Sequence, residues 1–468
     1  MIEKLVTFLN EVVWSKPLVY GLLITGVLFT LRMRFFQVRH FKEMIRLMFQ
    51  GEKSPNGISS FQAIAMSLAG RVGTGNIVGV STAIFIGGPG AVFWMWITAF
   101  LGASSAFIES TLGQIFKRVE NNEYRGGPAY YIEYGIGGKF GKIYGIIFAI
   151  VTIISVGLLL PGVQSNAIAS SMHNAIHVPQ WLMGGIVVVI LGLIIFGGIV
   201  GAMIEIGVKR GLYSNEAGQG TGPHAAAAAE VSHPSKQGLV QAFSVYIDTL
   251  FVCTATALII LISGTYNVTD GTVNANGTPH LIKDGGIYVE NATGKDYSGT
   301  AMYAQAGIDK AFHGSGYQFD PTFSGVGSYF IAFALFFFAF TTILSYYYIT
   351  ETNVAYLTRN QNNQVSSIFI NIARVIILFA TFYGAVKTAD VAWAFGDLGV
   401  GLMAWLNIIA IWILHKPAVN ALKDYEIQKK RLGNGYNAVY QPDPNKLPNA
   451  VFWLKTYPER LKQARAKK

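Results

Sequence analysis

The chain has 468 residues, 52% hydrophobic and only 13% charged, with a mean hydropathy of +0.40. A soluble protein carries about 25% charged residues, so a water-soluble globular fold is excluded and an all-α polytopic membrane protein is expected. Cys253 is the sole cysteine, which excludes an intrachain disulfide and leaves no basis for iron–sulfur or zinc–thiolate centres.

The net charge of +10 is placed beside apolar spans, as in cytoplasmic loops, so no nucleic-acid partner is expected. Pro17 to Leu31 is apolar and is followed by Arg32, Arg34, Arg39, Lys42, Arg46 and Lys53. That order puts the N-terminus outside and predicts an anchor helix, since the pattern of a cleaved signal is missing. A second apolar run extends from about Ile58 to Ile86, and Gly87-Gly88-Pro89-Gly90 makes an uncharged turn. Ala91 to Phe116 returns, and the segment from Lys117 to Lys142, with five basic residues, reads as cytoplasmic. Ile143 to Leu160 goes out, Pro161 to Gln180 is more polar, and Trp181 to about Gly201 comes back.

Gly211 to His233 is rich in glycine and polar residues and leads into an alanine run that should be helical. Gln237 to Ile262 is a clean span containing Asp248. Residues 263–323 form a polar loop with three basic residues, expected outside; its three Asn-x-Thr triplets fit the glycan acceptor pattern, which also arises by chance. Tyr329 to Tyr348, Ile368 to Val386 and Val391 to Leu414 complete the spans, and twelve basic residues from Lys416 onward mark a cytoplasmic tail. The expected divisions are residues 1–59 (anchor helix and linker), 60–414 (core) and 415–468 (tail), in the cell membrane with the C-terminus cytoplasmic.

The most informative stretch is Leu68 to Val80, L-A-G-R-V-G-T-G-N-I-V-G-V. The middle of a span should be its most regular helix, since unpaired backbone groups in hydrocarbon cost several kcal/mol each. This one holds Gly70, Gly73 and Gly75, the charge of Arg71, and polar Thr74 and Asn76. Close helix packing of the G-x-x-x-G kind, for which Gly75 and Gly79 are correctly spaced, explains glycines but not the polar residues beside them. An opened backbone that binds something explains both. With a second broken segment at 211–233, this predicts an inverted-repeat transporter. Half-helix N-termini would offer N–H groups to a carboxylate, and unwound carbonyls would coordinate a cation or an ammonium group.

Arg71, Glu109, Glu216, Asp248 and Glu351 fall in or near spans, where ionisable residues serve gating or ion coupling, or simply pair at a span end. His173 and His177 share a helical spacing but have no third ligand, and H-E-x-x-H, G-x-S-x-G and Walker A motifs are missing. Hydrolase and ATP-driven mechanisms are therefore disfavoured, and no organic cofactor is expected. Trp94, Trp96, Trp393 and Trp405 read as interface anchors or packing.

The stretches N-G-I-S-S-F-Q-A-I-A-M-S-L-A-G-R-V-G-T-G-N-I-V-G-V (from Asn56), G-V-K-R-G-L-Y-S-N-E-A-G-Q-G-T-G-P-H-A-A-A-A-A, V-Q-A-F-S-V-Y-I-D-T-L-F-V-C-T-A-T-A and F-F-F-A-F-T-T-I-L-S-Y-Y-Y-I-T-E-T-N resemble the alanine or glycine:cation symporter family. That family belongs to the amino acid–polyamine–organocation superfamily. The resemblance, from about Asn56 to Leu414, implies a LeuT-type five-plus-five inverted repeat with broken helices, preceded by one extra N-terminal helix. It implies a symporter, not an enzyme, taking up alanine and glycine with sodium or protons, and a monomer. Gly73, Thr74, Gly75 and Asn76, with Asn215, Glu216, Ala217 and Gly218, would bind the substrate. The carbonyls of Ala69, Val72 and Phe338 and the hydroxyls of Thr341 and Thr342 would hold sodium. An uncoupled channel or facilitator, or a membrane enzyme, are the alternatives. One departure stands out. The resemblance leads one to expect a further long apolar stretch between Ile195-Phe-Gly-Gly198 and Lys209-Arg-Gly-Leu212. Either Pro161 to Val178 supplies a short span, or the fifth helix and the first half of the sixth are missing from this sequence.

Overall fold

The computed structural model describes residues 2–49, 57–120, 123–196, 216–274, 278–291, 294–297, 301–320, 325–433 and 438–459. Chain order gives α1 (Ile2–Val13), α2 (Lys16–Arg32), α3 (Phe36–Arg39), α4 (Phe41–Phe49), α5 (Ser60–Arg71), α6 (Val78–Gly87), α7 (Gly90–Ile115), α8 (Pro128–Ile136), α9 (Gly138–Ile154), α10 (Leu160–Ile176) and α11 (Gln180–Phe196). After the undescribed residues 197–215 come α12 (Gly222–Ala228), α13 (Pro234–Tyr246), α14 (Thr254–Ser263), α15 (Met302–His313), α16 (Val326–Thr358), α17 (Asn363–Val386) and α18 (Ala389–Leu432). Among the described residues, seven helical stretches are long and apolar enough to cross a bilayer, including the continuous runs Gly138–Ile176 and Pro234–Ser263.

Helices dominate, but not to the exclusion of strands. One antiparallel hairpin (Arg118–Glu120 with Glu123–Arg125) precedes α8, and two more (Val268–Val273 with Pro279–Lys283, and Val289–Asn291 with Gly294–Asp296) sit in the loop expected at 263–323. Strictly all-α is thus corrected in the connections, where water competes for backbone hydrogen bonds and short hairpins are affordable.

One expectation about spans changes, and one helix outruns its expected span. Pro161 does not open a separate span. It lies in the first turn of α10, where its missing N–H costs nothing, and α10 continues α9 through a π-helical turn at Ser155–Leu159. The polar second half of this long helix is buried because its partners are other helices: a Cβ on Gly384 of α17 would sit 2.1 Å from Gly162 Cα. Such close approach is the usual reason for glycine at helix crossings. The last helix, α18, continues beyond the expected span end at Leu414 and runs to Leu432.

The lipid-facing side follows from exposure. In α17, Ile368, Phe369, Ile372, Val375, Ile376, Phe379, Tyr383 and Val386 are exposed, while Ala373, Ile377, Ala380, Thr381 and Gly384 are buried. The two sets follow helical periodicity, and the apolar set faces outward, the reverse of a soluble helix. Polar residues run inward instead: Thr74, Asn76, Glu109, Gln241, Asp248 and Asn407 have no exposed surface.

Candidate functional site

The span from Ser60 to Gly87 is a broken helix. Its first half begins with a capping box, Ser59 Oγ accepting from Gln62 N (3.2 Å) and Gln62 Oε1 accepting from Ser59 N (2.8 Å). It ends at Arg71. Val72 is extended, Gly73 has φ −141° and ψ −146°, Thr74–Asn76 form one 3-10 turn, and α6 resumes at Val78. The break falls within the glycine-rich stretch of the sequence.

On one side of the break, α16 closes a cluster of oxygens. Thr342 Oγ1 lies 3.0 Å from Ala69 O, 2.8 Å from Val72 O and 3.1 Å from Phe338 O. One hydroxyl has a single proton for three carbonyl acceptors, so the cluster is short of donors and suits a hard cation. The Thr341 hydroxyl donates to Phe338 O at 2.9 Å on its own helix. The structure thus brings together Ala69, Val72, Phe338 and Thr342, with Thr341 at the edge.

Across the break, α10 contributes Gln164. Its Oε1 accepts from Thr74 N (3.0 Å) and from Thr74 Oγ1 (2.8 Å). A Cβ on Gly73 would sit 2.4 Å from that oxygen and 2.8 Å from Thr342 Oγ1, so only glycine fits between them. Gly75 lines an open cavity of about 640 Å³ between α6, α7 and the π-helical turn Ile247–Cys253, together with Trp94, Met95, Thr249 and Cys253. Asn76 Nδ2 donates to Asp248 Oδ1 (2.7 Å) and approaches Cys253 Sγ (3.2 Å).

The second broken segment is described from Glu216 onward; Asn215 lies outside the described residues. Thr221 Oγ1 donates to Glu216 Oε2, and a Cβ on Gly70 would lie 3.7 Å from the same oxygen, so Glu216 reaches the first break. Ala217 is half-buried against the main core. Gly218 has φ +87°, a conformation glycine adopts without strain. Its N–H donates to Glu109 Oε1 (3.4 Å) and its carbonyl accepts from Asn407 Nδ2 (2.9 Å), which also donates to Glu109 Oε2 (2.7 Å). Tyr131 OH completes this group by donating to Asn407 Oδ1. The alanine run is helical only to Ala228; Ala229 turns extended and bridges to Ile58, beside the start of α5.

Arg71 is buried, donating through Nη1 to Gln241 O (3.2 Å) and to Ser244 Oγ. Its Nε and Nη2 have no partner among the described residues. Glu351 instead pairs with Arg125 at 3.7 Å, the simple ion pair. Among the described residues no group of three His, Cys, Asp or Glu is placed to hold a metal, His173 and His177 included. Trp94 is exposed, and Trp405 donates to Val13 O.

Gln164, Asn407 and Tyr131 were not singled out by the sequence reading. Their signal is thin: single uncharged polar residues or aromatics inside apolar helices.

The chain matches the profile of the sodium:alanine symporter family over residues 1–201, 196–281 and 299–438. YrbD of Bacillus subtilis (strain 168), provisionally named a sodium/proton-dependent alanine carrier protein, is 48% identical over 508 aligned positions, covering 97% of this chain and 98% of the relative. The sodium/proton-dependent alanine carrier protein of Bacillus sp. (strain PS3) is 42% identical, covering 88% of this chain and 98% of its own length. GlnT of Bacillus subtilis, provisionally named a sodium/glutamine symporter, is 36% identical over 96% of each chain. The first alignment is longer than this chain's 468 residues, so it opens gaps in it.

Proposed function

The chain belongs to the sodium:alanine symporter family, and on that premise we propose that it takes up alanine and glycine with sodium by alternating access, on a five-plus-five inverted repeat. The observation that carries this reading is the oxygen cluster at the break, where Thr342 Oγ1 meets the carbonyls of Ala69, Val72 and Phe338. Two of those carbonyls end α5, so an ion bound there fixes the residues that follow. Gly73 to Asn76 then hold the amino acid. The N–H and hydroxyl of Thr74, given to Gln164 Oε1 here, are the donors a substrate carboxylate would take. Glu216, one oxygen of which accepts from Thr221 and lies 3.7 Å from where a Cβ on Gly70 would stand, suits an ammonium group. Ala217 and Gly218 act by holding that segment against Glu109 and Asn407, and Asn215 is assigned here on the family resemblance.

The steric limit on side chains falls to Trp393, whose Cη2 would be 3.8 Å from a Cβ on Gly79, and to Phe338; Phe337 is 46% exposed and faces outward. A pocket of this kind discriminates a single methyl by only about 1–3 kcal/mol, so glycine and alanine share it.

The test is alanine uptake into proteoliposomes with and without an inward sodium gradient. Accumulation above the equilibrium level only with sodium supports the reading. Equal entry with and without the gradient points to an uncoupled facilitator, and chemical change of alanine to an enzyme.

A further inference from the structure

Glu109 is the one titratable residue of α7. It has no exposed surface and forms no ion pair with a described Lys, Arg or His within hydrogen-bonding distance. Its two oxygens are not held alike. Oε2 accepts from Asn407 Nδ2 at 2.7 Å, Oε1 only from the Gly218 N–H at 3.4 Å, which is long for a hydrogen bond. The Asn407 amide is fixed at both ends. Its Oδ1 accepts from Tyr131 OH, and its Nδ2 also donates to Gly218 O at 2.9 Å. Oε2 therefore stays an acceptor, and Oε1 is the oxygen open to a proton. A proton there turns Oε1 from acceptor to donor. It then repels the Gly218 N–H and loosens the second broken segment. Glu216, two residues before Gly218 in that segment, is the group to which the symport reading gives the substrate ammonium.

The charges that act on Glu109 are Arg71 at the end of α5 and Glu216. From α8 it is faced by Tyr131, behind which stands Tyr144 of α9. From α18 it is faced by Asn407, more than two turns from Asp397 and His415. From α2, Leu22 lies nearest Gly218, and Tyr20 is exposed. The helix α13 carries Lys236 and Tyr246 towards its two ends. The turn Ile247–Cys253 brings Asp248, held by Asn76 and Thr249. In α12, His224 bonds Thr221 O and Asn353 Nδ2.

We propose that Glu109 is a proton-binding site of the transport cycle, so that a proton enters with alanine and sodium. The proton adds to Oε1 from the outer solution and neutralises a carboxylate that is costly to bury alone. It leaves to the inner solution when the Gly218 N–H returns and the carboxylate is restored. Gly218 joins this position to the substrate position within one segment, so each biases the other. This inference rests on the symport reading.

The experiment uses the full chain in proteoliposomes holding a pH-sensitive dye, with the membrane potential clamped and equal pH on both sides. Alanine added under an inward sodium gradient should acidify the lumen in the wild type. In Glu109→Gln the signal should fall to that of alanine-free vesicles, and a pH gradient at equal sodium should no longer drive alanine accumulation. Sodium-dependent alanine binding checks that this variant folds. Where it does not, Glu109→Asp and Tyr131→Phe carry the test. The first keeps a carboxyl at altered reach and the second frees the Asn407 amide, so both should still acidify but with a shifted pH midpoint. Alanine entry without acidification in the wild type overturns the site. So does acidification that persists in Glu109→Gln, or an unchanged midpoint in both other variants. No alanine entry under any gradient would instead overturn the symport reading itself.

Discussion

Gly73→Ala isolates the geometry of the break. The added Cβ would stand 2.4 Å from Gln164 Oε1, 2.8 Å from Thr342 Oγ1 and 3.1 Å from Gln164 Cδ. Backbone strain is not the issue, since φ is −141°. The cost is steric and polar. Overpacking a filled site costs about 1–3 kcal/mol. Displacing Gln164 leaves the buried Thr74 N–H without its acceptor, about 1–3 kcal/mol more. The sum, about 2–6 kcal/mol, corresponds to roughly 30- to 20,000-fold weaker alanine binding, at tenfold per 1.4 kcal/mol. Sodium affinity should fall as well, because Thr342 Oγ1 is the second atom struck. Equilibrium binding of labelled alanine and sodium to purified protein measures both. Combining Gly73→Ala with Gln164→Ala should recover part of the steric cost but not the Thr342 contact, so the two changes should be non-additive. Wild-type affinities in Gly73→Ala, or strict additivity in the pair, would refute the packing described here.

Three further outcomes are expected. Thr342→Val should raise the sodium concentration for half-maximal alanine binding about tenfold or more, the scale of about 1.4 kcal/mol for a hydrogen bond or ligand lost at a buried site. Thr341→Val should shift it less, because its hydroxyl returns to Phe338 O of its own helix; equal shifts would contradict this order. Trp453→Ala removes a buried ring whose Nε1 donates to Gln114 O and which borders Lys117 Nζ with Tyr124 and Phe452. The loss of about 3–5 kcal/mol should free residues 438–459, read as faster hydrogen exchange there, and unchanged protection would count against it. The Glu43 carboxyl is pushed up by burial, but hydrogen bonds from Tyr425 and Lys429 and the charges of Lys429 and Arg46 outweigh this and hold it below the ordinary 4.5. A depressed carboxyl stabilises the fold above its unfolded value and loses that contribution as pH falls through the folded one. The contact of α4 with α18 should thus weaken in acid, and Glu43→Gln should remove that acid-sensitive part of stability; an unchanged acid profile would show that the carboxylate contributes nothing.

The sequence revealed the first break because its evidence is local. Three glycines, a charge and two polar residues contradict the apolar run around them within a few positions. Gln164 could not be found that way. It bonds Thr74 across 90 residues of sequence, and Asn407 bonds Glu109 across 298, so nothing near either residue marks it. Helix ends are a separate matter from span ends. Hydropathy marks where a helix leaves the bilayer, not where it unwinds. Thus α18 continues past Leu414 in polar surroundings, tied to α4 through Tyr425 and Lys429 on Glu43. The alanine run ends as a helix at Ala228 because the next residues pair with Ile58 instead, a tertiary contact that outweighs propensity.

On the proposed symport, coupling between ion and substrate would follow from how few bonds separate their positions. The carbonyls of Ala69 and Val72 face Thr342, and the N–H of Thr74 lies two residues beyond Val72. Thr342 can satisfy only one of its three carbonyl neighbours at a time. A cation held by all of them would fix the last turn of α5, and with it the direction of the Thr74 N–H. Substrate would then meet donors already aligned and lose less conformational entropy on binding, so its affinity would rise. Linkage makes the effect reciprocal: alanine must tighten sodium by the same factor that sodium tightens alanine. A protein in which alanine binding is sodium-dependent but sodium binding ignores alanine would violate that equality at equilibrium. Measuring both affinities in one preparation therefore tests whether the break is the shared element, and Thr342→Val should shrink both factors together.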